Sequence, residues 1–456
     1  DFQPNGLLPT IEHAVQGRVV DKSQNPINGA IVRVKTTNIS TFSELDGFFL
    51  FQDLDPSQPV TLTAWAPGYF IGGGESYYPG TKDIVITLSP HHTADNSDYQ
   101  WLSALETTGG SGENQACAEC HSRAETEVEW DLPVDEWLQD AHSQSAVNPR
   151  FLSMYAGTDL LGHQSPLTRF AYNVDYGQFP LPPDDDQPYF GPGYKLDFPG
   201  IAGNCAACHI PLASIDDPYG TDPAQISGEA TEGVSCDFCH KISDINLDPD
   251  SALPRDNMPG VLSYDYLRPP EGHQFFAGPY DDVAPGEDVY LSLQDESQIC
   301  AGCHYGVFWD TTIYNSYGEW LESPYSSPET GQTCQDCHMP PSGAPIIALP
   351  EEGGETRDPG TIYSHRMPGA SDESLLQNAL TMVVKTENLG DDIIVEVTLT
   401  NDQTGHHIPT DSPLRHMLIL VEVVDSDGLR LPLKEGLTLP DWAGIGDPRE
   451  GYYAGL

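Results

Sequence analysis

Every cysteine of this 456-residue chain sits in one repeated pattern, and the pattern is a site for chemistry. CAECH (117–121), CAACH (205–209), CDFCH (236–240), CAGCH (300–304) and CQDCH (334–338) use all ten cysteines. Cys-x-x-Cys-His is the attachment sequence for c-type haem. Two thiols, three positions apart, add across the two vinyl groups on one edge of a porphyrin. The next residue then holds its imidazole beneath the ring, where it binds iron. The thioether positions are Cys117, Cys120, Cys205, Cys208, Cys236, Cys239, Cys300, Cys303, Cys334 and Cys337. The proximal iron ligands are His121, His209, His240, His304 and His338. The expected cofactors are five haem c groups.

Three other readings compete. Zinc takes paired Cys-x-x-Cys units but does not require a histidine after each pair. A thioredoxin-type redox pair is expected once, in a βαβ setting. Five disulfides would suit a secreted chain. The histidine that never fails favours haem over all three.

An iron that only carries electrons needs a second axial ligand. Fifteen histidines less five proximal ones leave ten. Context selects His142 on an expected helix, His273 in a Gly/Pro loop between motifs three and four, and His365 just after the last motif. His406 and His407 are adjacent in TGHHIPT and point different ways, so one of them is expected to ligate a given haem. The fifth distal ligand is sought among His91, His92, His163, His13 and His416, a methionine, or another subunit. Met339 directly follows a proximal histidine and cannot reach the opposite face.

The elements that must position these residues are short. Gly 43 and Pro 40 leave room for few long helices, and hydrophobic residues are only 38%. Porphyrins would supply the missing core as large flat hydrophobes. VDEWLQDAHSQSA (134–146) is the clearest helix candidate. Motifs two and three start 31 residues apart, and four and five 34, so neighbouring rings are expected nearly to touch.

The net charge is −50, and residues 91–371 hold 45 acids against 9 bases. Such a chain offers no basic patch for nucleic acid or for an anionic membrane. A solvated acidic surface keeps it soluble, and salt would screen the self-repulsion. DINLDPD (244–250) spaces oxygens as a calcium loop does but lacks the glycine expected next, so calcium is a minor candidate. The longest apolar run, MLILVEVV (417–424), is strand-sized and too short to span a bilayer. DFQPNG looks like a processed N-terminus. Haem attachment to this motif takes place outside the cytoplasmic membrane, so the expected home is periplasmic or extracellular. The sequon Asn38-Ile39-Ser40 suits a surface loop there.

The fold class is expected to be multidomain: an N-terminal β-sandwich (1–90), a linker (91–115), a haem-cored, loop-rich segment with short helices (116–371), and a partial C-terminal β-domain (372–456). GRVVD, AIVRVKT, FFLF, VTLTAWA and DIVITL are short alternating runs between turn signals. ALTMVVKTEN, DIIVEVTLTN and HMLILVEVVDSDG, within 376–401 and 415–433, are strand-like again. A β-domain that short leaves an edge unpaired, so more chain or a neighbouring subunit is expected to complete it.

The order GRVVD…NPINGAIVRV…SELDGFF…APGY resembles the carboxypeptidase-regulatory-like β-domain, an accessory module from which no catalytic residue carries over. The run from DNSDYQW through CAECH, EWLQDAHSQSAVNPRF, CDFCHKI, RPPEGHQFFAGPYDD, CQDCHMP and SHRMPGA to TGHHIPTDSPLR resembles secreted multihaem c-type cytochromes, some of which assemble into extracellular filaments. The resemblance covers roughly 95–430. It implies distal roles for His142, His273 and His365, electron transfer as the function, and a chain that continues past GYYAGL. Implied partners are redox proteins or an extracellular electron acceptor, with other copies of the chain if it polymerises. Paired histidines and the surrounding acid both favour low potentials. The alternative is a reductase or oxidase of a small nitrogen or sulfur compound, with one open iron site. The Cys-x-x-Cys-Lys motif of pentahaem nitrite reductases does not occur here. A third reading, compatible with the electron carrier, makes the N-terminal sandwich a binding module that tethers the cytochrome to a surface or partner.

Overall fold

The computed structural model describes residues 11–107, 115–124, 126–159, 161–270, 274–308, 310–390, 392–412, 415, 417–419, 422–432 and 434–435. N-terminal β-sheets lead into a loop-rich middle with short helices, and a β-hairpin follows.

The sandwich consists of β1 (Val15–Asp21), β2 (Ile31–Val34), β3 (Ser40–Phe42), β4 (Phe48–Phe51), β5 (Val60–Trp65), β6 (Gly72–Tyr77) and β7 (Ile84–Leu88). One sheet has the order β4-β1-β7, with β1 antiparallel to β4 and parallel to β7. The other is antiparallel, in the order β3-β2-β5-β6. Period-two patterning turns Val15, Val19, Val32, Val34, Phe49, Phe51, Leu62, Ile84, Ile86 and Leu88 into a single core. Each such side chain contributes about 1.5–3 kcal/mol on full burial. Gly17 lets β1 and β7 approach closely, since a Cβ there would lie 2.2 Å from the Ile84 carbonyl oxygen. Gly17→Val is therefore expected to cost about 3 kcal/mol or more through overpacking. Urea unfolding of the whole chain, with proteolysis of the sandwich as readout, would measure the loss.

The sandwich is docked on the middle of the chain. Arg33 forks onto Asp281, with Nη2 2.8 Å from Oδ2. Asp282 accepts the Thr36 N–H at 2.7 Å and Arg357 Nη2 at 2.7 Å. Lys35 meets Glu355 at 2.7 Å, and Trp65 packs edge-on to Tyr290. The two-way bonds of Ile71 N to Asp288 O and Gly286 N to Ile71 O extend the contact along the main chain.

Regular structure in the middle is brief. Among the described residues the longest helix is Pro149–Ala156, of eight residues, capped by Asn148 and ended by Gly157 in the left-handed region. Four of the five motifs are themselves single helical turns or nearly so: Cys117–His121, Ala206–His209, Cys236–Cys239 and Cys334–His338. The fifth lies in Gln298–His304. The helix expected over 134–146 is shorter, Pro133–Trp137. Asp140 ends it by accepting the N–H groups of Ala141 and His142 on its own carboxylate, a local alternative to the helical ladder. Within the segment read as a linker, Tyr99, Leu102 and Ala104 are buried. They are tied to the middle by Asp237 and Glu232.

At the C-terminal side, Thr381–Leu389 and Asp392–Thr400 form an antiparallel hairpin with Met382, Val384, Val395, Val397 and Leu399 on one face. The described residues of the third strand-like region, 415–433, show an isolated bridge, Val424 with Arg430, and no strand. Among the described residues, no helix is long and apolar enough to cross a membrane.

Candidate cofactor cavity

All ten cysteines and all five motif histidines line one connected cavity of about 3670 Å³. A packed protein interior does not sustain such a space unless ligands fill it. Shared among five motifs it gives about 730 Å³ each, within the range of sites for single organic ligands. Among the described residues, no three His, Cys, Asp or Glu side chains converge on a point where a bare ion would sit. This donor set suits a wide group held at its edge by thiols. Asp248, in the calcium candidate, accepts the N–H groups of Asp250 and Ser251 within its own turn.

The imidazoles are pre-oriented. Nδ1 of His121 lies 2.7 Å from Ile347 O, that of His240 2.7 Å from Ala277 O, and that of His338 2.7 Å from Pro368 O. His209 Nδ1 has a longer contact, 3.3 Å, to Ser145 O. A carbonyl can only accept, so Nδ1 carries the proton and Nε2 keeps its lone pair. This is the outer support expected of a metal-ligating histidine. His304 differs, since its Nδ1 faces the Asp411 carboxylate at 3.9 Å, too far for a hydrogen bond. Burial holds all five imidazoles below their ordinary pKa, so they are neutral and free to ligate.

Two further histidines stand opposite motif histidines. The His142 and His304 ring centres are 6.1 Å apart at 81°, and those of His406 and His338 6.2 Å apart at 15°. Two metal–nitrogen bonds of about 2 Å, plus about 1.1 Å from each ring centre to its nitrogen, span about 6 Å. Both separations therefore match a pair of imidazoles sharing one metal. His142 Nδ1 donates to Asp140 Oδ2 at 2.7 Å. Burial opposes charge on His142, but the Asp140 carboxylate outweighs it and raises the pKa.

His365 is anchored by its main-chain N–H to Glu136 Oε2 at 2.7 Å. Burial, then the neighbouring His240 and His121 rings, push its imidazole down to about 4. It thus stands close to motifs one and three. His407 is exposed, and Glu319 holds it by main-chain N–H and ring. His92 borders the cavity. His91 packs outside it, against Phe70 and Phe275. His163 is an exposed partner of Asp159, and His13 contacts Leu54 O in the sandwich. His273 and His416 lie outside the described residues.

Thiols of different motifs also meet. Cys236 neighbours Cys117, Cys208 neighbours Cys303, and Cys300 neighbours Cys334, each near enough that the partner thiol pushes its pKa up. Residues 140–145 knit these motifs together. His142 O accepts Val234 N beside motif three, and Ser145 Oγ donates to His209 O of motif two. Phe151 lies flat on the His209 ring at 3.9 Å and 3°. None of these supports carries a sequence signature, because the acceptors are carbonyls and the stacking partner lies 58 positions away.

A penta-heme cytochrome c552 from Thermochromatium tepidum is 17% identical over 69% of this chain and 71% of that chain, with a TM-score of 0.42. No curated protein matches the chain. The N-terminal sandwich matches the carboxypeptidase regulatory-like domain over residues 14–71.

Proposed function

We propose that this chain is a multihaem electron carrier holding five c-type haems, one at each Cys-x-x-Cys-His motif. The observation that carries this reading is the shared lining. Ten thiols and five imidazoles border a single cavity, four of those imidazoles with Nδ1 turned to a main-chain carbonyl. The bound groups would supply one-electron iron chemistry. The chain's own part is to fix them. The thiols tether one edge, the motif histidines offer Nε2, and His142 and His406 offer a second nitrogen to motifs four and five. His365 is the candidate for motif one or three.

Contacts between thiols of motifs one and three, two and four, and four and five support closely spaced groups, as electron transfer requires. Periplasmic or extracellular residence follows from where such attachment takes place. Assembly of copies into a filament remains part of the proposal, with redox proteins or an extracellular acceptor as partners. The exposed apolar face of the 381–400 hairpin is compatible with assembly, since an isolated two-stranded hairpin is marginal in water.

Denaturing mass spectrometry of the protein made in a haem-attaching host is the test. Five added haems are expected. A mass equal to the bare polypeptide would end the reading. Electron microscopy of the same material would separate filament from monomer.

A further inference from the structure

The position after each motif histidine is Ser122, Ile210, Lys241, Tyr305 and Met339. Only motif three places a formal charge there. The Lys241 side chain is 0% exposed, and its Nζ lies 2.9 Å from Asp237 Oδ1, which is also 0% exposed and belongs to the same motif. Lys241 also donates to Phe275 O at 2.8 Å and sits 3.7 Å from the centre of the Phe276 ring. Asp237 is neutralised from three sides, by Lys241, the Tyr99 hydroxyl at 3.0 Å and the Leu102 N–H at 2.8 Å.

A buried ion pair is a poor device for stability, because desolvation offsets the attraction. Its field is another matter, because charges fixed away from water act strongly on their neighbours. Lys241 directly follows the ligand His240 in the chain, while the Asp237 carboxylate is shared among the ammonium, the Tyr99 hydroxyl and the Leu102 N–H. The ammonium is a fixed positive charge beside the motif, in a chain whose overall charge is −50.

We infer that Lys241, held by Asp237, is a tuning residue that raises the reduction potential of the haem at motif three. The inference rests on the proposed five-haem reading. The step it affects is the addition of one electron to ferric iron, with no bond made or broken. Ferric iron carries one more positive charge than ferrous, so a fixed positive field disfavours it. Motif three, whose thiol meets motif one, then becomes a site where an electron rests.

The test is an optical redox titration of the full, haem-loaded chain at pH 8. Asp288, the other carboxylate acting on Lys241, is pushed up to about 6 by burial and is ionised at that pH. Lys241→Met is expected to move one of the five reduction steps to lower potential. Asp237→Asn, which leaves the lysine, is expected to move the same step upward, with haem-methyl resonances in proton NMR identifying it. Packing damage that admits water would move the step in one direction in both variants. That result, or no shift in either, overturns the inference. If Lys241→Met does not accumulate, Lys241→Gln takes its place beside Asp237→Asn: opposite shifts of the same step support the tuning role and any other result removes it. Mass spectrometry of the parent protein keeps this outcome separate from failure of the five-haem reading.

Discussion

Replacing Cys300 and Cys303 together with alanine is expected to remove one haem from the denatured mass and to split electron flow into unequal parts. Motif four sits at a junction. Cys303 faces Cys208 of motif two, and Cys300 faces Cys334 of motif five. Loss of the tether removes the group that joins these neighbours. It also leaves apolar lining around Ala301, Tyr264 and Phe238 without its packing partner. The cost should exceed about 5 kcal/mol, the upper end for a single large-to-small change. Two measurements check it. The mass should fall by one haem, and reduction by a limiting donor should become biphasic, with motifs two and five reached slowly. Cys117→Ala with Cys120→Ala is the matched control, since it also costs one haem but leaves the contacts among motifs two, four and five. If both double variants slow reduction equally, motif four is no junction.

The sequence and the fold agree where periodicity and spacing are local. GRVVD, AIVRV, FFLF, VTLTAW and DIVITL became β1, β2, β4, β5 and β7 because alternation decides which face is buried. β3 was concealed in a three-residue run, Ser40–Phe42, and β6 begins in Gly72-Gly73-Gly74, which reads as a turn. There the glycines serve a strand: a Cβ on Gly72 would lie 2.6 Å from Leu88 Cδ2. The end of the 133–137 helix was not legible, because Asp140 acts through geometry that a hydrophobic pattern ignores. Motif histidines can be named from spacing alone. Their partners cannot, because pairing joins residues 162 positions apart in the case of His142 and His304, and 68 in that of His338 and His406. Nothing in the sequence marks Lys241 out, and only its burial against Asp237 and the Phe276 ring does so.

His406→Ala and His407→Ala should differ sharply although the residues are neighbours. The His406 ring faces His338 at 6.2 Å, with its Nδ1 turned to His407 O at 3.0 Å and its other nitrogen free. The His407 ring points away, toward Glu319 Oε1 at 3.1 Å, and is 79% exposed. Removing His406 should leave one haem in five without its second imidazole. Carbon monoxide binding to the reduced protein should then rise by about one equivalent per chain, and one high-spin iron should appear, since a nitrogen pair that fills both axial positions excludes an added ligand. Removing His407 costs only an exposed contact with a carboxylate, worth about 0–1 kcal/mol, and should leave carbon monoxide binding unchanged. The two residues share solvent, backbone and turn, so a difference between them isolates ligation from local disruption. Equal effects, or a larger effect at His407, would show that the 6.2 Å pairing is not an axial pair and would shift the role to the histidine that Glu319 restrains.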